Sequence, residues 1–246
     1  MNLLLIGGHG YLGSALRDAL PEAAAPHSDY AALTAAELEP YAWVVFLANR
    51  KQDGQSEDGP RFDAFIARLP ERCRLLLVSS AAAHGTGEHA EKMRRRERSA
   101  AGRSRTWIVR PGSVCGPAAH ADPHSLLNQM VADARAGNAV RVGAVDRPVL
   151  TTRDWVRAVE HILSGEVPEG TYELASFNAW MPDLGAHVAR RFAAAVETVP
   201  GLGRSLDCRI DTAPFERTGF TFLDGIDSAI SEAERALRAL AGDGGA

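Results

Sequence analysis

The chain has 246 residues, of which 46% are hydrophobic and 24% charged, with a net charge of −4. That length buries the core of one domain, or of a domain with a small annex, and the mild acidity gives no basis for nucleic-acid binding. No apolar run approaches the roughly 20 residues of a membrane span, and the start lacks a basic region ahead of a longer apolar core, so neither a membrane segment nor a signal peptide is expected. Cys73, Cys115 and Cys208 are far apart and odd in number. They read as reduced thiols of a cytoplasmic protein, with no disulfide or zinc framework.

The first thirteen residues carry the strongest local signal. Leu3 to Ile6 is a continuous apolar run, followed by Gly7, Gly10 and Gly13 and then a helical pattern through Leu16 and Leu20. A strand, a glycine turn and a helix start in that order hold an anion with backbone N–H groups and the helix dipole, and glycine admits a pyrophosphate where a Cβ would block it. An alanine-rich stretch follows, with a short second strand around Ala23 to Ser28. The next strand is Trp43 to Ala48, then a polar loop from Arg50 to Pro60, a helix Phe62 to Leu69, a buried strand Arg74 to Ser79, a charged helix over 88 to 101 and a strand Thr106 to Arg110. Apolar strands alternating with helices predict a parallel sheet covered on both faces.

The second half reads differently. Helices are expected at Ser125 to Ala136, Thr152 to Leu163, Asp183 to Ala195 and Asp227 to Leu240, with short strands at Val140 to Val142 and Thr171 to Leu174. The tail from Ala241 to Ala246 is Gly-rich and expected to fray.

Several segments in one order resemble the extended short-chain dehydrogenase/reductases, the NAD-dependent epimerase/dehydratase group that acts largely on nucleotide sugars. Gly7-x-x-Gly10-x-x-Gly13 resembles the cofactor turn, and Val78 to Gly85 (VSSAAAHG) the strand-end "SS…VYG" segment. Arg110 to Pro117 (RPGSVCGP) is similar to "RP-x-N-V-Y-G-P", and Thr151 to Val156 to "hV-x-D-v". Gly170-Thr-Tyr-Glu-Leu174 is similar to "G-x-x-Y-N-l", and Gly219-Phe220 with Gly225-Ile226 to the C-terminal "lGf…eGi". The resemblance implies an α/β fold, a Rossmann-like doubly wound parallel sheet over residues 1–117 with a small C-terminal substrate lobe over 118–240, some elements returning to the sheet, and a flexible 241–246. It implies NAD or NADP held by Gly7, Gly10, Tyr11, Leu12, Gly13, Ala48, Ser79 and Pro111. Asp29, the acid placed to bind a ribose 2′-OH, favours NAD.

The catalytic pattern departs from the family. Family chemistry uses a Ser or Thr, then a Tyr and a Lys four residues apart on one helix, the Lys lowering the Tyr pKa. Ser80 matches the Ser, and no Tyr-x-x-x-Lys exists in this sequence. Taking Glu97 as the Glu that follows the family Lys puts His89 at the Tyr position and Met93 at the Lys position. His89 is then either an acid/base that needs no Lys to tune it or a surface helix residue. Lys92 lies about 100° around the helix from Met93, and a Glu88/Lys92 pair is the less attractive register. His84 stands where the family has Tyr, and Ser113 where it has Asn. The span from Gly13 to Trp43 is too short for two strands and two helices, so an adenine-side strand is lost or reduced.

Other side chains read blandly. His120 and His124 sit on a Pro-containing loop and make no metal pair. Arg94 to Arg96 with Arg98 reads as a solvated helix face or a phosphate contact. Asp154 caps or braces its helix, and Arg153 and Arg191 are candidates for a substrate diphosphate. The expectation is a cytoplasmic NAD(P)-dependent enzyme acting on a carbonyl/alcohol pair of a nucleotide sugar or other polyol, with Ser80 and His89 as the catalytic residues. The alternatives are a non-catalytic NAD(P)-binding sensor or scaffold, and an enzyme whose substrate supplies its own acid/base. Family members often form homodimers through the helix here at 88 to 101, but its four arginines argue against that mode.

Overall fold

The structure is a computed structural model that describes residues 2–25, 29–48 and 58–242. The elements run β1 (Leu3–Ile6), α1 (Tyr11–Ala19), α2 (Ala35–Leu38), β2 (Trp43–Phe46), α3 (Asp58–Arg68), β3 (Arg74–Val78), α4 (Glu88–Ala101), β4 (Thr106–Pro111) and β5 (Ser113–Cys115). They continue with α5 (Leu126–Arg135), β6 (Val140–Val142), β7 (Asp146–Thr151), α6 (Thr152–Leu163), β8 (Gly170–Leu174), β9 (Phe177–Trp180), α7 (Met181–Phe192), β10 (Val196–Thr198), α8 (Ala213–Glu216) and α9 (Ile226–Gly242).

A parallel sheet in the order β1-β2-β3-β4-β8 forms the centre. Its strands are apolar at nearly every position because both faces are covered. Leu3, Leu5, Trp43, Val45, Leu76, Val78, Trp107 and Val109 face Leu16 of α1 and Trp155, Val159 and Ile162 of α6. The alternate residues Leu4, Ile6, Val44, Phe46, Leu75, Leu77 and Ile108 face Phe62 and Phe65 of α3 and Ala100 of α4. This period-2 division onto two helical layers is the doubly wound arrangement.

On the outer side of β1 the expected second strand is reduced to one parallel bridge, Leu4 with Ala24. Leu5 N–H donates to Ala24 O at 2.8 Å and Ala24 N–H to Leu3 O at 2.9 Å. The rest of that segment, from 26 to 28, lies outside the described residues, as do 49 to 57 of the expected loop and 243 to 246 of the expected tail. Helix α3 begins at Asp58, four residues before the expected start, and α9 extends two residues into the tail.

The second half builds a separate core from α5, α7 and α9 against small sheets, β5-β7-β9 and β6-β10. Strand β7, like β5, β9 and β10, lies outside the expected set, and its Pro148 is a residue that demotes a run. It pairs on both sides nonetheless, parallel to β5 and antiparallel to β9. Thr151 caps α6, its Oγ1 accepting from Asp154 N–H at 3.1 Å. Asp154 is therefore not the cap. Fully buried, its carboxylate accepts from Ser176 Oγ at 2.8 Å and from the backbone N–H groups of Leu223 and Asp224 at 3.1 Å, bracing the segment that leads into α9.

Candidate functional site

The glycine turn lies at the C-terminal end of β1, and each glycine has its own reason. Gly7 has φ +85°, and a Cβ there would sit 2.8 Å from Ala48 N. At Gly13 a Cβ would meet Gly7 O at 2.4 Å and Gly8 Cα at 2.6 Å, so α1 packs on the turn only because that hydrogen is there. Gly10 is different. It is exposed, and a Cβ would find only Gly7 O, at 3.5 Å, leaving open the approach to the first N–H groups of α1 at Tyr11, Leu12 and Gly13. No side chain caps α1, and its first turn carries no acid. An uncapped, uncrowded helix start fits an anionic diphosphate.

The walls of the turn are fixed from elsewhere. Tyr11 Oη donates to Gly116 O at 2.6 Å and accepts from Asn128 Nδ2 at 3.2 Å, so the phenol ties α1 to the loop after β5 and to α5. Burial pushes its pKa well above the ordinary tyrosine value. Trp155 Nε1 donates to Leu12 O at 3.1 Å. His9 bridges Ala25 O and the Arg17 guanidinium, each at 2.8 Å, joining the turn to the reduced strand.

Strand β3 lies two positions across the sheet from β1, about 10 Å at ordinary strand spacing. The chain leaves it through Ser79 and Ser80. Ser80 Oγ accepts from Ala82 N–H at 3.1 Å and caps a 3₁₀ turn at Ala81–His84. Arg94, half-buried on α4, clamps the far side of this turn, donating to Ala83 O at 2.8 Å and Gly85 O at 2.9 Å.

Under the turn runs a chain of charges. Ser79 Oγ donates to Glu97 Oε1, and Arg110 donates through Nε to Glu97 Oε1 at 2.9 Å and through Nη2 to Glu97 Oε2 at 2.6 Å. Arg110 Nη1 reaches Glu173 Oε1 at 3.0 Å, and His84 Nε2 meets that same oxygen at 2.7 Å. Arg110, Glu173 and Ser79 lie at the C-terminal ends of neighbouring strands, where parallel sheets bind ligands. Burial would raise the Glu97 carboxyl, but the hydrogen bonds from Arg110 and Ser79 and the Arg110 charge outweigh it and hold its pKa below the usual value. Arg110 is correspondingly held protonated, chiefly by its bond to Glu97. The second oxygen of Glu173, Oε2, is buried without a hydrogen-bond partner among the described residues.

Helix α4 presents His89, Met93 and Glu97 at four-residue spacing along one face. Met93 is 1% exposed, a core residue, while His89 stands exposed in the first turn. The solvated arginine face holds for Arg95 and Arg98 only. Arg96 is 3% exposed, its guanidinium donating to Ala48 O at 2.7 Å and lying over the rings of Phe46 and Phe62. It thus closes the end of β2 beside Gly7.

Asp29 accepts from Ala31 N–H and is ion-paired with Arg61, so its carboxylate already has two local partners. Pro111 is buried at the end of β4. Arg153 pairs with Asp224 and Arg191 with Glu234. The sequence reading missed the Ser79–Glu97–Arg110–Glu173–His84 network. Its signal was present as departures from the resembled motifs, His84 for Tyr and Glu173 for Asn, at positions that no spacing rule connects.

A parallel sheet with a glycine turn after β1 and Ser79–Ser80 after β3 is a Rossmann-like fold. The fold is shared along nearly the whole chain with solved nucleotide-sugar enzymes. One is the NAD-dependent NDP-hexosamine 5,6-dehydratase TunA of tunicamycin biosynthesis, with TM-score 0.81, 17% identity, and 97% of this chain and 98% of that one covered. Another is the dTDP-glucose 4,6-dehydratase DesIV from Streptomyces venezuelae with NAD bound, with TM-score 0.81, 18% identity and 98% of both chains. A third is the UDP-glucuronic acid 4-epimerase from Bacillus cereus with UDP-glucuronic acid and NAD, with TM-score 0.79, 11% identity, and 97% and 100% covered. No protein-family model and no curated protein matches the sequence. Among the described residues, no helix is long and apolar enough to cross a membrane.

Proposed function

We propose that the protein is an NAD(P)-dependent enzyme of the epimerase/dehydratase type, acting on a carbonyl/alcohol pair of a nucleotide sugar or a related polyol. The observation that carries this reading is the open helix start at Gly10, facing the same strand ends as Ser80. The glycine turn and the N–H groups of Tyr11, Leu12 and Gly13 would hold the dinucleotide's diphosphate, with Ala48, Ser79 and Pro111 along its course. When bound, the nicotinamide supplies the two-electron chemistry. Ser80 Oγ would hydrogen-bond the reacting oxygen, and the imidazoles of His84 and His89 are the candidates to move its proton.

A second reading, a nicotinamide-nucleotide sensor without turnover, is favoured by Met93, which fills with apolar bulk the position where the family places a cation. Fluorescence titration with NADH and with NADPH tests what both readings require. Wild-type protein is expected to bind one of them in the micromolar range. Gly10→Ala should keep its fold, since that Cβ has room, and lose binding by about tenfold or more, since the Cβ stands in the phosphate's approach. Absence of binding by the wild type overturns both readings. Turnover of any nucleotide sugar, abolished in Ser80→Ala, excludes the sensor.

A further inference from the structure

We propose that His84, oriented by Glu173, is the acid/base that exchanges a proton with the reacting oxygen, in the role the missing tyrosine would fill. The inference rests on the enzyme reading and names the proton-transfer group of that same site. Two segments follow the resembled pattern and depart from it, at His84 and at Glu173. The departures are 89 residues apart in sequence, and their side chains meet at 2.7 Å. Either change alone would make no pair. Together they make an imidazole with a carboxylate at its back, the arrangement that fixes a histidine's tautomer and ring orientation.

The geometry suits that use. With Nε2–H donating to Glu173 Oε1, the free lone pair is on Nδ1. The His84 side chain is 42% exposed while Glu173 is only 14% exposed, so the working end faces solvent and the orienting group does not. Glu173 is itself held by Arg110, which Glu97 anchors to α4. The backbone beneath His84 is clamped from both sides, by Ser80 at Ala82 and by Arg94 at Ala83 and Gly85. At Gly85 a Cβ would lie 2.5 Å from Ser205 O, so the C-terminal segment closes over this turn and sets the dyad on the seam between sheet and lobe. His89 is the second residue of α4, whose start at Gly87 carries no side-chain cap. In the oxidative direction the hydroxyl O–H bond breaks and an Nδ1–H bond forms. An oxidised nicotinamide dinucleotide, when bound, would supply the oxidant that takes the carbinol hydrogen with its electron pair, and Glu173 would balance the imidazolium. Reduction returns proton and hydride.

Carbethoxylation by diethylpyrocarbonate, mapped residue by residue by mass spectrometry with and without NADH plus UDP, tests this without a known substrate. His84 labelling is expected to slow about fivefold or more when both nucleotides are present, while half-buried His187 on α7 keeps its rate. With any nucleotide sugar that turns over, His84→Gln should lose about 10²-fold or more in kcat, and His84→Ala should recover activity with added imidazole. Glu173→Gln should lose about tenfold, in kcat and not KM. If NADH binds and His84 stays unprotected, or if His84→Gln keeps its turnover, the dyad is wrong and the enzyme reading stands. If neither NADH nor NADPH binds, the reading itself fails and takes the dyad with it.

Discussion

Arg110 sits between two carboxylates and a serine-bound strand end, and it shows how a single cation organises a site. Its guanidinium is planar and makes three charge-assisted hydrogen bonds, two to Glu97 and one to Glu173. Glu97 is 10% and Arg110 23% exposed in their side chains, so each depends on the other for compensation. Glu97→Ala should therefore destabilise the fold by about 3–5 kcal/mol, because Arg110 and the Ser79 hydroxyl lose a partner in a place water scarcely reaches. Urea denaturation measures this. The double variant Glu97→Leu with Arg110→Met should recover part of the loss, since it removes the cation left short of its partner, while Glu173 then keeps only His84. A double variant as unstable as the single one would show that packing, not charge, sets the cost.

At the scale of elements, the contrast between two glycines is a direct test of the strand–turn–helix unit. Gly13→Ala drives a Cβ into Gly7 O at 2.4 Å and must push α1 off β1, where Gly10→Ala meets nothing closer than 3.5 Å. The melting temperature should fall by several degrees for the first and hold for the second, a shift of about 1–2 kcal/mol against little change. The unit was legible in the sequence because strand, turn and helix are local and glycine spacing is a backbone requirement. So were the remaining buried strands of the sheet, whose apolar runs need no partner to be recognised. Strand β7 was not legible, since Pro148 and two leading charges hide a segment that pairs only because β5 and β9 bracket it. The burial of Arg96 was hidden too. Its guanidinium is accommodated by Ala48 O and two aromatic faces from other elements, and nothing on α4 announces that. The site was half legible: Ser80 and the glycine turn came from motifs, whereas the His84–Glu173 contact exists only in three dimensions.

For the whole molecule, two carboxylates in separate regions set the response to acid. The Glu97 carboxyl is held low beside the C-terminal ends of β3 and β4. The Asp224 carboxyl, which burial alone would raise, is also held low by hydrogen bonds from Thr151, Arg153 and Ser228. A folded-state pKa below the unfolded one contributes stability above the unfolded value, and that contribution is lost as pH falls through the folded value. Stability should thus be level toward neutrality and decline below about pH 4, near the unfolded carboxylate values. Denaturant titrations across pH 2 to 7 should show the decline, and Glu97→Gln should flatten its steepest part.

The order of the central sheet has a consequence for how the chain comes into being. Strands β1 to β4 are neighbours in the order in which a ribosome delivers them, and each pairs with the strand just before it. Since consecutive pairings close short loops, most of the sheet can assemble while the chain is still emerging. Only β8 must wait, because β5, α5, β6, β7 and α6 intervene before Gly170–Leu174 arrives beside β4. Glu173 arrives with it. A nascent protein stalled before that strand would carry most of its sheet and the glycine turn, with Arg110 still lacking its second carboxylate: the turn is complete before the charge network across the sheet from it.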